Sequence, residues 1–242
     1  MRKLLIIIAL VLMRVSSAYA AIEFTGTVLS EQIGNSGSDA TITIPATSTY
    51  CIIAATYWEN GGYTDNTITL DGQSASLILF SSSAQDYESV SMYGVSGFST
   101  GSSKTFAWDW NGTSAVDIGA AYLLIFFSGV DTADPVRDVD TVNRSTASEA
   151  DITTPSIDSS ATDMMVGAVA AYTDEPDMAS GGQTERITPG NYHNIQYACA
   201  SEGGASPNTT MTANCRQCEL TGVSLQAEVA AAGQVMRTTI YR

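Results

Sequence analysis

Lysine and histidine are almost missing from this chain. Its 242 residues include two Lys (Lys3 and Lys104) and one His (His193), against 25 Asp and Glu, for a formal net charge of −15. So large an excess of carboxylate repels phosphate backbones and anionic headgroups, which argues against nucleic acid or acidic lipid as a partner. A single histidine also narrows the enzymology. A Ser-His-Asp hydrolase would have to use His193, which sits among Asn191, Tyr192 and Asn194 in a loop-like setting. No G-x-S-x-G elbow accompanies it, and Gly94-Val95-Ser96-Gly97 lacks the required spacing, so His193 reads as a surface-loop residue. Beyond the first twenty residues no apolar run approaches the about 18–20 residues that cross a bilayer as a helix. Membrane insertion is therefore not expected once the leader has gone.

The first twenty residues have a pattern of their own. Arg2 and Lys3 form a short basic start, Leu4 to Met13 an unbroken apolar stretch, and Ser17-Ala18-Tyr19-Ala20 a small-residue cleavage site. Arg14 ends the apolar stretch too early for a membrane anchor, so residues 1–20 are expected to be a cleaved signal peptide. No Cys follows the cleavage point to take a lipid. Cleavage removes Arg2, Lys3 and Arg14 but no acidic residue, taking the net charge from −15 to −18. Residues 21–242 are expected to form one secreted domain, extracellular or at the cell surface.

That domain is rich in Thr, Ser, Gly, Tyr, Val and Ile and poor in Lys, Glu and Leu, a strand-and-turn composition. Ala40, Ile42 and Ile44 alternate with threonines; Ile68 and Leu70, and Val90 and Met92, alternate with polar neighbours, as half-buried strands do. Tyr50 to Trp58, Gly119 to Val130 and Met164 to Tyr172 are apolar on both faces and read as central strands. Asp71-Gly72 between two such runs predicts a two-residue hairpin. The sum is an all-β, antiparallel β-sandwich, of jelly-roll type rather than a closed barrel. Ser224 to Ala232 carries helix formers, yet Val223, Leu225, Ala227 and Val229 alternate, and a strand is preferred. The polar stretch from Asp131 to Ser160, with Pro135 and Pro155, is expected to cross between sheets or to join two halves.

The run Phe127-Ser128-Gly129-Val130-Asp131, followed by Pro135, resembles a motif of secreted bacterial and phage-encoded β-sandwich modules, in which an FSGVDxxxP stretch closes the first half. Asp163-Met164-Met165-Val166 is similar to the strand that opens their second half, and Thr69 to Ala75 to their hairpin, with Asp71 where a glycine is usual. The resemblance implies a sandwich and an exported setting. It carries no catalytic residue across.

Four Cys in an exported chain favour disulfides. Cys215 and Cys218 are close enough to staple a turn; a redox or zinc role would lack its βαβ context or its remaining ligands. Cys51 and Cys199 are expected to complete the set, with Cys199–Cys215 and Cys51–Cys218 the other pairing considered. Asp131, Asp134, Asp138 and Asp140 could offer oxygen ligands to Ca²⁺, the one cofactor considered, although a solvated linker suits their spacing better. Phe106, Trp108 and Trp110 alternate and share one face of a strand. Phe106 and Trp108 are expected in the core, whereas Trp110, with Asp109 and Asn111, could stack on and hydrogen-bond a glycan. Acidic pairs such as Asp86 with Glu88, or Glu228 with Asp109, would meet the minimum for a glycosidase, but any acidic chain offers such pairs. Asn111, Asn143 and Asn208 lie in N-x-S/T sequons. Ile22, Phe24 and Val28 alternate directly after the cleavage site, in a strand that either starts its own sheet or is donated to a second copy. The function expected first is a non-enzymatic structural or adhesive protein that self-associates. A carbohydrate-binding module comes second and a carbohydrate-active enzyme third.

Overall fold

Both faces of two five-stranded sheets are buried, and this organises the whole molecule. The computed structural model describes residues 19–229 except 34–35, 59–65, 83–87, 111–118, 146–147, 173–174, 193–194 and 206–207; residues 1–18, which hold most of the expected leader, and residues 230–242 lie outside it. The first half contributes β1 (Glu23–Ile33), β2 (Ser36–Ile44), β3 (Tyr50–Trp58), β4 (Asn66–Leu70), β5 (Gln73–Ser74), β6 (Ser76–Ser82), β7 (Glu88–Ser96), β8 (Gly101–Trp110) and β9 (Gly119–Ser128). The second contributes β10 (Val136–Arg144), β11 (Ala150–Thr153), β12 (Ile157–Asp158), β13 (Met164–Ala171), β14 (Thr184–Tyr192), β15 (Ile195–Gly203), β16 (Asn208–Thr209), β17 (Thr212–Cys215) and β18 (Cys218–Leu225). The pairings between these strands are antiparallel, and the chain is an all-β sandwich.

The strands form four layers. An outer sheet, β2-β8-β4-β5, covers one face of the first inner sheet, β1-β9-β3-β7-β6. The other face of that sheet packs on the second inner sheet, β10-β18-β13-β15-β14, whose far side is covered by the ladders β11-β17 and β12-β16. This burial on both sides is why residues 50–58, 119–128 and 164–171 read as apolar throughout. The inner sheets share one plan: β1, β9, β3, β7 and β6 correspond in order to β10, β18, β13, β15 and β14, and β2 pairs with β8 as β11 does with β17. They stack with β1 against β14, β3 against β13 and β6 against β10, so an approximate twofold axis relates the halves.

Local chemistry explains the details. Asp71 (φ 51°) and Gly72 (φ 77°) turn β4 into β5, as the Asp-Gly pair predicts for a hairpin with two left-handed residues. The Asp71 carboxylate accepts from the Ser99 N–H at 2.9 Å and lies 3.5 Å from Lys104. Phe106 and Trp108 are core residues, packed with Tyr122 at ring-centroid distances of 4.9 and 5.5 Å. Ser224 and Leu225 continue β18, and Ala227 and Val229 make further β-bridges, so the strand reading of this segment holds over its described part.

Three expectations need correction. Cys51 faces the core under the outer sheet, whereas Cys199 lies between the two inner sheets. They stand on opposite sides of the first inner sheet and are both free thiols, so neither a Cys51–Cys199 bond nor the alternative pairing forms. Cys215–Cys218 is the disulfide among the described residues, closing the turn between β17 and β18. Second, most of residues 131–160 is not crossover: β10, β11 and β12 lie within it, and the true joint is the short stretch Gly129–Pro135. Third, Ile22, Phe24 and Val28 do not share a face. A bulge between Phe24 and Gly26 reverses the alternation, so Ile22 and Phe24 pack between the inner sheets and Val28 packs beneath the outer one. Their strand, β1, pairs with β9 of its own sheet.

Candidate functional site at the joint between the halves

The FSGVDxxxP stretch builds the joint. Gly129 has φ 73°, and a Cβ there would stand 2.4 Å from the Ala21 carbonyl oxygen, so only glycine allows this approach. Val130 is buried and bridges Ala227, with the Asp131 N–H donating to Gln226 O (2.9 Å) and the Glu228 N–H to Gly129 O (2.8 Å). The Asp131 carboxylate accepts from the Ala133 and Asp134 N–H groups at 3.0 and 3.3 Å and so fixes the turn. From the other side Gln226 donates its backbone N–H to Pro135 O at 2.9 Å and its side-chain amide to Asp134 O at 3.1 Å. Asp163, the acidic residue of the second motif, is buried where β13 begins. It pairs with Arg137 at 2.5 Å and accepts from Ser160 N–H and Ser224 Oγ at 2.9 and 3.2 Å. Burial pushes its carboxyl up, but Arg137 and the Ser160 donors outweigh this and leave its pKa lowered.

Beside the joint lies a pocket of about 330 Å³. Tyr50 from β3, Ser74 and Ser76 at the β5–β6 turn, Ser96 at the end of β7, and Thr132 and Pro135 from the joint line it. None of its lining residues carries a charge. The Tyr50 ring reaches it over Gly94, where a Cβ would stand less than 2 Å from the phenol oxygen, so the glycine makes the tyrosine's position available. Burial raises the Tyr50 pKa, keeping the phenol neutral and able to donate.

A second polar cluster crosses the inner seam. Glu219 of β18 is buried, and its Oε1 accepts from Thr141 Oγ1 of β10 at 2.7 Å and from Ser81 Oγ of β6. Its Oε2 has no partner among the described residues. Burial raises the Glu219 pKa above the ordinary glutamate range, against the lowering effect of the two hydroxyls. Neither cluster offers the paired acid and base or the activated nucleophile that hydrolysis requires.

The residues singled out from sequence are scattered. Asp109 is exposed on β8, while Asn111 and the Trp110 side chain lie outside the described residues, as do His193, Asp86 and the Glu88 side chain. Asp131 and Asp134 belong to the joint turn; Asp138 and Asp140 are half-buried on β10, and Asp138 accepts from the Asp158 N–H at 2.8 Å. Among the described residues no three His, Cys, Asp or Glu side chains gather as a metal site. Asn143 and Asn208 are exposed. The pocket has no signature in the sequence, because its serines, threonine and glycine come from four separate segments and share no period. Searches against protein-family models, curated proteins and solved structures find no match to this chain.

Proposed function

We propose that this is an exported, non-enzymatic structural or adhesive protein that self-associates through the open β6 edge of its first inner sheet. The observation that carries this reading is the chemistry of β6. The other edges of the inner sheets are guarded: β10 carries Arg137, Asp138, Asp140 and Arg144; β14 carries Glu185, Arg186, Pro189 and two register shifts; and β1 carries Glu23 and Glu31. Edge strand β6 (SLILFSS) has one bulge but neither charge nor proline, and Leu77 on it is 46% exposed. An unguarded edge is a template for pairing with another chain. Antiparallel pairing of β6 with β6 of a second copy would make a ten-stranded sheet. The exported setting is supported by the leader pattern and by the resemblance of the joint motif to secreted modules.

Light scattering and electron microscopy of the cleaved protein test this reading. Concentration-dependent oligomers or fibres are expected, and Leu77→Lys should weaken association at least about tenfold while changing folding stability by less than about 0.5 kcal/mol. A strict monomer at millimolar concentration, or association indifferent to Leu77→Lys, counts against it.

A further inference from the structure

We propose that the pocket at the joint binds a neutral saccharide unit of one or two rings. The inference goes beyond self-association and does not depend on it. The pocket's chemistry selects the ligand class. Five hydroxyl-bearing residues, Tyr50, Ser74, Ser76, Ser96 and Thr132, line a space of about 330 Å³, at the small end of ligand sites, and Pro135 adds an apolar surface for the C–H face of a ring. Hydroxyls both donate and accept, which matches a ligand whose own groups do the same. No charged residue lines the space, and the strongly acidic chain around it disfavours anionic sugars.

The walls are set before any ligand arrives. Asp131 and Gln226 hold the joint by hydrogen bonds from both sides, and the Ala75 N–H donates to Ile68 O at 2.8 Å behind Ser74 and Ser76. A site whose backbone is already held loses little ordering entropy on binding. Its position where two halves meet is also a common one for ligand sites.

The test is titration of the cleaved protein, followed by NMR, with glucose, galactose, mannose, N-acetylglucosamine and their β-linked disaccharides, using sialic acid as the anionic comparison. At least one neutral sugar should saturate in the millimolar range, with sialic acid weaker. Ser96→Trp, which fills the pocket, should abolish binding. The milder Ser74→Ala/Ser76→Ala double variant should weaken it by about three- to tenfold with an unchanged melting temperature, and it decides the matter if the Trp variant does not fold. Leu77→Lys should bind as the parent does, which separates this site from the assembly edge. Absence of saturation by every neutral sugar, or binding unaltered in the double variant, overturns the proposal.

Discussion

The two halves follow one strand plan but fill their outer cores with different material. Beneath the outer sheet of the first half lie Tyr57, Phe106, Trp108, Tyr122 and Phe126; the rings of Phe106, Trp108 and Tyr122 touch one another, Phe98 packs on Phe126, and the described residues there hold no disulfide. The matching space in the second half is filled by Ala171, Ala198, Ala200 and Ala213, with Met165, Met178 and Met211, and is closed by Cys215–Cys218. Methionines there lie directly on glycines of the sheet: a Cβ on Gly167 would stand 2.7 Å from Met211 Cε, and one on Gly222 would stand 3.0 Å from Met211 Cγ and 2.7 Å from Ile157 Cδ1. One topology thus tolerates two packing solutions. The first half draws its stability from apolar area per side chain, the second from close approach of backbones plus a covalent staple and the Asp163 network.

If so, the halves should fail in opposite ways. Phe106→Ala removes a fully buried ring from the aromatic cluster and should cost about 4 kcal/mol, the largest effect expected, read by chemical denaturation. Enlargement is the matching insult to the second half: Gly222→Val should cost about 2–3 kcal/mol, because Ile157 and Met211 must move. Equal sensitivity of both halves to truncation would break the comparison. Replacing Cys215 and Cys218 by Ser should cost about 2 kcal/mol, as expected for a short closed loop. Hydrogen exchange should place that loss in the second half and leave the amides of β3 and β8 unchanged.

The smallest effect tests the seam between the halves. Because burial raises the Glu219 pKa in the folded state, the native protein holds a proton that the unfolded chain gives up near 4.5. The cluster's contribution is therefore complete below that pH and declines as pH rises through the folded-state value. Relative to Glu219→Gln, the parent should lose stability on going from acid toward neutral pH. Parallel stability profiles for the two proteins would remove Glu219 from the seam's energetics.

What could be read in advance follows from period and from turn chemistry. Ile42 and Ile44, and Ile68 and Leu70, alternate because those strands have unlike faces, and Asp71-Gly72 has one dominant backbone solution. The alternation of Val90 and Met92 misled: Ser89, Ser91 and Tyr93 opposite them are buried too, with Ser91 hydrogen-bonded to the Tyr57 hydroxyl at 3.0 Å, so β7 has no wet face there. Cys51 and Cys199 could not be placed, because a strand buried on both faces has no polar side to show which way a residue points. The bulge after Phe24 defeated a period-two reading of β1 for a related reason: one inserted residue leaves composition untouched and reverses every face beyond it. β10 was hidden by its own guarding charges, since an edge strand with Arg137, Asp138 and Asp140 resembles a linker. The pocket is harder still, as it arises from where four segments end and not from any one of them.

The joint also has a mechanical meaning. The Ala21 carbonyl lies against Gly129, and the Glu228 N–H donates to Gly129 O, beside the Val130–Ala227 bridge at the chain's midpoint. Strand start, midpoint and strand finish therefore meet at one spot. Tension applied across Ala21 and Val229 would peel the short ladder of Gly129–Asp131 with Gln226–Glu228 one hydrogen bond at a time and leave the three cores unstrained. Tension delivered through β6 would instead meet a whole sheet in shear. A protein anchored by its edges is stiff, and the same protein held by its two strand ends yields early; the joint is where it would give.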